Sequence, residues 1–277
     1  MANSRHESEY LMSKSDEAAE KARLDLQHQV WLLTLEGRLH TTSLPNEVKT
    51  ILDIGCGTGA WPLAMAKLRP STQILATDLT PPAIIPSPNV KFVTSDANQP
   101  WPFGKFDFIH GRMLASGIHN WPRFLSQCWQ HLEPGGYLEL LDIYHPFCAD
   151  DPAANSHSSA FIRFGHAAEK SWALSGLDYR ACTKHTERLK MLGFVDVKEM
   201  QVKWALGEWP TADRERQMGK LTLENFARFL DTAGVHILTH NGVMSEWEAR
   251  RLVAEVLKDI EDNCLRKFTL AVNMQKV

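Results

Sequence analysis

Apolar and polar positions follow two alternating patterns through the first half of the chain. Short apolar runs, typical of buried strands, alternate with segments whose apolar residues recur every three to four positions, as on one face of a helix. This alternation predicts an α/β fold with a doubly wound, mostly parallel sheet and right-handed crossovers. Its strands are expected at 51–53, 73–78, 90–96 and 106–110, and a fifth follows a helix end and a turn within 132–141.

The remaining segments predict helices around this sheet and two more strands. An N-terminal helix from Asp16 to about Leu39, capped by Ser15 and Asp16, is expected because apolar residues recur at helical spacing: Ala18, Ala22, Leu26, Val30 and Leu33. After Tyr144, helical patterns at 161–172, 183–192, 211–232 and 245–262 surround strands expected at 194–204 and 268–276. The total is a seven-stranded sheet with helical insertions over 146–180 and 205–262.

The most informative segment is the glycine-rich run that follows the first strand. Residues 51–59 read ILDIGCGTG, and Ala60 begins a helical pattern. Gly55, Gly57 and Gly59 predict a turn in which a ligand lies against the backbone, near a helix N-terminus that favours negative charge. A bare tight turn, a dinucleotide site and a phosphate site are alternatives. The G-x-G-x-x-G spacing of dinucleotide sites and the G-K-[ST] of P-loops are absent.

An acid at the end of the second strand adds a second feature to this edge of the sheet. Asp78 closes the run QILATD. A carboxylate at this place can accept two hydrogen bonds from the hydroxyls of a ribose. The alternative is a solvated aspartate at a strand end.

The LDIGCGTG run resembles motif I of the class I S-adenosylmethionine (SAM)-dependent methyltransferases, and further landmarks occur in the order of that family. They are the acid after strand two, the Asp96-Ala97 pair after strand three, and Pro134-Gly-Gly before strand five. The resemblance implies a Rossmann-like fold and SAM as cofactor, with S-adenosylhomocysteine as product. It implies that Asp96 and Ala97 meet the adenine, and that the cofactor contacts Asp53, Gly55, Gly57, Gly59, Asp78 and Leu79.

More of the chain, roughly residues 10–277, resembles the LaeA-like fungal methyltransferases. The segments that carry this likeness are RLDLQH at 23–28, WLLTLEG at 31–37, IHGRM at 109–113, PGGYLE at 134–139 and GEWP at 207–210. The resemblance implies that Tyr10, Gln27 and His28 close over SAM, although His28 could instead pack under its helix. His110 is expected near the methionine moiety. Arg112 is expected to hold its carboxylate, to support the N-terminal helix, or to remain a surface residue.

The methyl acceptor is less well defined, because the chain departs from that family on the acceptor side. His119-Asn120 stands where the family usually has Lys-Asp, and Asp142-Ile-Tyr144 stands where it often has Gln-Glu-aromatic. Methyl transfer from a sulfonium is an in-line displacement that depends on orientation, and a general base assists hydroxyl acceptors. His119 is the first candidate base by position, with His145 and Asp142 as others. Trp172 and Trp209 are candidates for stacking on an aromatic acceptor, against core or helix-packing roles.

Composition narrows the classes of partner. The 277 residues carry a net charge of −3, which gives no basic surface for nucleic acid or anionic membrane. Five cysteines without a C-x-x-C pair favour a reducing compartment and argue against a disulfide framework or structural zinc. The N-terminal residues are polar, without a signal-peptide pattern, so a cytoplasmic protein is expected.

The sequence therefore predicts one methyltransferase domain over 1–277 that acts on a small secondary metabolite at oxygen, sulfur or nitrogen. Its parts are a helical cap at 1–48, a SAM-binding core at 49–145, acceptor-pocket insertions at 146–180 and 205–262, and a last strand at 263–277. A regulator of the LaeA type, acting through protein partners in the nucleus, is the alternative. The absence of a long N-terminal extension or basic cluster favours the enzyme. A SAM-binding protein that catalyses a rearrangement and a nicotinamide dehydrogenase are further alternatives.

Overall fold

The structure is a computed structural model that describes residues 17–149, 159–261 and 267–276, without the side chains of 144–146 and 267–276. The chain divides into two compact units. The sheet unit comprises Leu35–Asp142, Ala181–Gln201 and Val272–Val277. The helical unit comprises Met1–Thr34, Ile143–Arg180 and Val202–Ala271. Tyr10, Ser15 and Asp16, named above as a cofactor contact and as helix caps, lie outside the described residues.

Five parallel strands flanked by helices form the centre of the fold. They are β1 (Thr50–Ile54), β2 (Gln73–Asp78), β3 (Val90–Thr94), β4 (Phe106–Arg112) and β5 (Leu132–Ala149). β1 pairs with β2 and β4, β2 pairs with β3, and β4 pairs with β5, so their order is β3-β2-β1-β4-β5. The order reverses between β1 and β4, which places a ligand crevice outside the carboxyl ends of these two strands.

Helices connect these strands as the alternating pattern predicts. The helices of the sheet unit are α2 (Ala60–Leu68), α3 (Trp121–Gln130) and α5 (His185–Met191). α2 follows the glycine run and buries Trp61 and Met65 against Ile51, Ile74 and Phe108, which form the core on one face of the sheet. This apolar packing holds the strand ends in place, so the loops that follow them start from rigid positions.

The turn expected before the fifth strand is instead an irregularity inside β5. Leu132 pairs with Phe106, whereas Tyr137 pairs with Phe108, so extra residues bulge out of the strand between them. Gly135 has a φ of 79°, which glycine adopts without strain. A Cβ at Gly136 would lie 2.9 Å from the carbonyl oxygen of Glu133. Pro-Gly-Gly therefore makes a β-bulge, and β5 pairs with β4 both before and after it.

The remaining helices and strands belong wholly or partly to the helical unit. They are α1 (Glu17–Thr34), α4 (Ala160–Leu174), α6 (Asp213–Phe229), α7 (Val235–Thr239), α8 (Glu246–Glu261), β6 (Lys198–Ala205) and β7 (Lys267–Lys276). A π-helical turn at Leu230–Gly234 joins α6 to α7, so the helix expected to end at 232 continues to Thr239. In the part of the chain that the structure describes, none of the helices is long and apolar enough to cross a membrane.

Two expected element boundaries were wrong, and positive backbone φ values explain both. The N-terminal helix was expected to reach Leu39 but ends at Thr34, because Glu36 and Gly37 have φ values of 57° and 80°. The strand expected from 194 begins only at Lys198, after Asp196 with a φ of 51°. Left-handed residues interrupt both helical and strand hydrogen bonding.

Close packing of α1 and α6 is the main feature of the helical unit. The guanidinium of Arg23 on α1 is buried, pairs with Glu20 at 2.7 Å and donates to Asn225 Oδ1 at 3.4 Å. Trp31 packs edge-on against Trp204 with ring centroids 4.7 Å apart, and Trp204 Nε1 donates to Thr34 Oγ1. These contacts specify how α1 meets α6 and β6. Among the described residues, Trp31 Nε1 is a buried polar atom of this interface that has no hydrogen-bond partner.

Candidate cofactor site

The glycine run forms a left-handed loop at the carboxyl end of β1. Gly55, Gly57 and Gly59 have φ values of 68°, 53° and 78°. A Cβ at Gly55 would lie 2.7 Å from Leu114 Cδ2, and one at Gly59 would lie 2.9 Å from Phe92 Cζ. Only glycine satisfies both the backbone conformation and the available space. Gly55 and Gly59 are therefore fixed as glycine in this loop, which lies at the switch point of the sheet.

Asp78 holds this loop from the end of β2. Its Oδ2 accepts a hydrogen bond from the backbone N–H of Gly57 at 2.8 Å, and its Oδ1 accepts one from Thr80 at 3.0 Å. Each oxygen keeps a second lone pair, so the carboxylate can still accept from a diol. Burial raises the pKa of Asp78, while these two backbone bonds lower it and the charge of Asp53 raises it. Leu79, the next residue, is exposed at the edge of the site.

Asp96 and Ala97 follow β3 and lie beside Asp78, since the backbone N–H of Ser95 donates to Asp78 O at 2.9 Å. Asp96 Oδ1 accepts from the backbone N–H of Asn98 at 2.8 Å. Ala97 O accepts from Trp101 Nε1 at 3.2 Å. The acid and the backbone expected to meet the adenine are therefore held in a rigid loop next to the ribose-binding candidate.

Asn98 is a residue of this edge that the sequence reasoning missed. Its Nδ2 donates to Gly117 O at 2.8 Å and to Asp96 Oδ1 at 3.1 Å, and its Oδ1 accepts from the N–H of His119 at 3.0 Å. One side chain thus links the loop after β3 to the segment after β4. An Asp-x-Asn sequence, which favours an Asx-turn, is the only sign of this role in the sequence.

A buried ion-pair-like contact lies directly before the glycine loop. His110 Nδ1 on β4 lies 2.7 Å from Asp53 Oδ1 on β1, and the two residues are direct neighbours across the strands. The indole of Trp61 stacks on the imidazole, with ring centroids 3.7 Å apart and planes 2° apart. Within the described residues, Asp53 Oδ2 and His110 Nε2 have no hydrogen-bond partner.

Burial dominates the electrostatics of this pair. It raises the pKa of Asp53 to about 8, against a lowering effect of Arg112, and it lowers the pKa of His110 well below its usual range. Burial also lowers the pKa of Arg112 to about 10, which Asp53 partly opposes. Both directions favour a protonated carboxyl that faces a neutral imidazole near neutral pH.

Glu139 is a second buried acid that the sequence reasoning missed. It lies beside His110 in the sheet, and its side chain is fully buried. Its Oε2 accepts from the N–H of Thr42 at 3.0 Å and from Thr42 Oγ1 at 2.6 Å, and its Oε1 accepts from the N–H of Thr41 at 3.1 Å. The carboxylate thus fixes the segment that precedes β1. A glutamate within an otherwise apolar strand is the sign that could have revealed it.

The candidates for the acceptor side lie in different environments. His119 is exposed in the segment after β4, where its backbone is held by Asn98. Asp142 is buried, and its Oδ2 accepts from the N–H of Ala115 at 2.8 Å. It lines a small cavity with Trp121, Cys182 and His185. Burial, and next the charge of Asp142, raises the pKa of Cys182 to about 12, so this cysteine is a neutral thiol. The side chain of His145 is not among those described.

Four further candidates lie in the helical unit. Gln27 and His28 lie on α1 and are both 7% exposed. Trp172 is buried and stacks on Tyr179 with ring centroids 3.4 Å apart, which favours the core role over stacking on an acceptor. Lys203 Nζ lies 5.9 Å from the ring centroid of Trp209.

The residues of the sheet unit fit a charged nucleoside. The glycine loop has a backbone conformation that other residues rarely adopt, and two strand-end acids lie beside it. Asp53 Oδ2 is a buried oxygen in need of a donor, which a cationic amino group would supply. These features match the adenosine and amino-acid parts of SAM. The residues that could hold it are Asp53, Gly55, Gly57, Gly59, Asp78, Asp96 and Ala97.

Comparison with known proteins agrees with this geometry. A family model described as a methyltransferase domain matches residues 26–238. Methyltransferase pytC of Aspergillus terreus is 33% identical over 224 residues, which cover 79% of this chain and 68% of that protein. The secondary metabolism regulator laeA of Gibberella zeae is 31% identical over 277 residues, which cover 93% of this chain and 83% of that protein.

Solved structures show the same fold. Phosphoethanolamine N-methyltransferase 2 of Haemonchus contortus, in complex with SAM, superposes with a TM-score of 0.53 at 14% identity. The match covers 90% of this chain and 52% of that chain. Sheet order, glycine loop, strand-end acids and relatives lead to one conclusion: the chain belongs to the methyltransferase domain family and, within it, to the LaeA-like fungal methyltransferases that use SAM.

Proposed function

We propose that this enzyme transfers the methyl group of SAM to a small secondary metabolite, at an oxygen, sulfur or nitrogen atom. The observation that carries the proposal is the left-handed glycine loop, which Asp78 holds. It lies next to Asp53, whose Oδ2 has no hydrogen-bond partner among the described residues. Relatives support methyl transfer: besides pytC, the probable methyltransferase tdiE of Emericella nidulans is 31% identical, over 79% of this chain and 69% of that protein.

In this proposal the residues of the chain bind and orient SAM and the acceptor, and SAM supplies the activated methyl group. Asp78 accepts hydrogen bonds from the ribose, and Asp96 and Ala97 bind the adenine. Asp53 holds the amino group, with His110 and Arg112 near the methionine end, and Leu79 borders the nucleoside. Tyr10, Gln27 and His28 closing over the cofactor stay predictions. Orientation of the acceptor provides most of the acceleration, up to about 7–11 kcal/mol in well-aligned reactions.

We also propose the complete seven-stranded sheet of class I methyltransferases. The strand order β3-β2-β1-β4-β5-β7-β6 supports it, because two further strands continue the sheet beyond β5. The single domain over 1–277, its helical insertions as a lid, and the cytoplasmic location stay predictions.

Replacing Asp78 by Asn tests the cofactor site. We expect the affinity for S-adenosylhomocysteine to fall about 10- to 100-fold, because the amide removes one acceptor and the charge that strengthens the ribose bonds. Isothermal titration measures it. Asp107→Asn is the matched control, since Asp107 accepts backbone bonds from Lys49 and Thr50 at the opposite edge of the sheet. Equal affinities for Asp78→Asn and the wild type would refute the ribose assignment.

Replacing His119 by Asn tests the candidate base. If His119 removes a proton from a hydroxyl acceptor, the turnover rate should fall about 10²- to 10⁴-fold. The affinity for SAM should not change, because only the backbone of His119 is tied to the cofactor edge. Turnover is measured with labelled SAM and pathway intermediates, and the product is identified by mass. An unchanged rate in the variant removes His119 from the mechanism.

A regulator of the LaeA type is the second candidate function. The observation that favours it is the likeness to laeA of Gibberella zeae over 93% of this chain, which is more of the chain than the pytC match covers. Release of S-adenosylhomocysteine with a methylated small molecule supports the enzyme. Binding of SAM without turnover of any intermediate, together with stable capture of a defined protein partner, favours the regulator.

A further inference from the structure

The contact between His110 and Asp53 fixes the direction of a buried carboxyl group. Both side chains are nearly inaccessible, 1% and 3% exposed, and their polar atoms lie 2.7 Å apart. Burying a carboxyl group without hydrogen-bond donors costs free energy, so the side chain would rotate toward any other donor within reach. Here one oxygen is engaged by the imidazole and the other, Oδ2, has no partner among the described residues. The direction of the carboxylate is therefore set by His110.

The imidazole is itself held rigidly. Trp61 covers one face of the ring at 3.7 Å in a parallel stack, and Trp61 is anchored by its Nε1, which donates to Leu39 O at 2.7 Å. The rings of His110 and Phe108 have centroids 6.2 Å apart. Since stacking and hydrogen bonding act in different directions, the ring has one orientation in which both are satisfied.

A neutral imidazole can carry its proton on Nδ1 and donate it to Oδ1 of an ionised Asp53. A cationic group that approaches Oδ2 favours the ionised carboxyl, whose proton passes to solvent as the ligand enters. The imidazole then holds one carboxylate oxygen and leaves the other for the ligand.

We propose that His110 is a positioning residue: its Nδ1 donates to Asp53 Oδ1 and so aims Asp53 Oδ2 at the α-ammonium group of the cofactor. The proposal rests on the proposed function, because it assumes a cofactor with an amino-acid moiety. It assigns His110 no contact with the cofactor. It also makes the pair responsible for selecting ligands that carry the ammonium over otherwise equal nucleosides.

The test compares two ligands that differ only at this group. They are S-adenosylhomocysteine and its analogue in which hydrogen replaces the α-amino group. His110→Phe keeps an aromatic ring for Trp61 and removes both nitrogens, and His110→Asn retains a donor near Nδ1. His131→Asn is the matched control, since its ring binds Gln127 O and Trp101 O away from Asp53. Isothermal titration gives the ratio of the two affinities for each protein.

We expect the wild type to prefer the amino ligand, and His110→Phe to lower its affinity about 10- to 100-fold while affinity for the deaminated analogue stays unchanged. His110→Asn should recover most of that loss, and His131→Asn should leave the ratio at its wild-type value. If His110→Phe lowers the affinity for both ligands equally, or lowers neither, the proposal is overturned. Failure of the wild type to bind either ligand instead refutes the proposed function.

Discussion

Asp53→Asn should make the protein more stable and at the same time weaken its hold on the cofactor. Burial raises the pKa of Asp53 from 3.8 to about 8 in the folded state. Below pH 3.8 the carboxyl is protonated in both states and costs nothing. Between pH 3.8 and about 8 the unfolded chain gains from ionisation that the folded chain cannot match, so stability falls as pH rises. Asparagine is nearly the same size and never ionises.

The gain should therefore grow from about pH 4 to pH 8 and then become constant. One pKa unit corresponds to about 1.4 kcal/mol, so we expect a gain of at least about 2 kcal/mol at pH 8.5. Chemical denaturation from pH 5 to pH 9 measures it. The charged groups that act on this pair are Arg112, Glu139 and His40, and Asp53 in turn raises the pKa of Asp78 and of Cys56.

Asp107→Asn is a suitable control for this series as well. It keeps an oxygen for the backbone hydrogen bonds from Lys49 and Thr50 and removes only the charge, so it should lower stability by a similar, modest amount throughout the range. The cofactor affinity of Asp53→Asn should fall, because the amide lacks the charge that an ammonium requires. If the stability curves of the wild type and Asp53→Asn run parallel with pH, the acid ionises freely in the folded state and the buried pair is misdescribed.

Gly219→Ala should destabilise the helical unit, although alanine is the better helix former. A Cβ at Gly219 on α6 would lie 2.2 Å from the carbonyl oxygen of Gly207, and the N–H of Gly207 donates to Gly219 O at 3.1 Å. The neighbour is backbone, which cannot rotate away as a side chain could. Alanine gains about 1 kcal/mol of helix propensity, but separating the two backbones costs more.

The expected net loss is about 2–3 kcal/mol in the free energy of unfolding. Thermal or urea denaturation measures it, and a clear decrease of the midpoint is the predicted result. Gly104→Ala serves as control, because nothing lies within 4 Å of its Cβ position and it should change stability by less than about 0.5 kcal/mol. A Gly219→Ala protein as stable as the wild type would mean that α6 and the segment at Gly207 are not in this close contact.

Local sequence predicted the cofactor edge because its requirements are local. The glycine loop needs residues that tolerate positive φ, and glycines at alternate positions after an apolar strand predict this conformation directly. Asp78 and Asp96 follow their strands immediately, so the parallel sheet brings them together without further information. The bulge at Pro134-Gly-Gly was recognised as a backbone irregularity, but whether it became a turn or a bulge depended on pairing with β4.

The sequence did not predict contacts between residues that are far apart along the chain. Asn98 joins residues 96, 117 and 119, and Glu139 joins residues 41 and 42. Trp172 reads equally well as a surface stacking residue or a core residue until its partner Tyr179 is known. In each case the role depends on which residue arrives from another part of the chain.

The amino-acid sequence by itself determined the type of sheet, the glycine loop and its strand-end acids, because these follow from backbone conformation and short spacing. The cofactor followed from the resemblance of these segments to the SAM-dependent methyltransferases. Only the tertiary structure decided that Asp53 is paired with His110 beneath Trp61 and that one of its oxygens has no partner among the described residues. Burial sets the charge of such a pair, and burial is a property of the folded chain rather than of any segment of it.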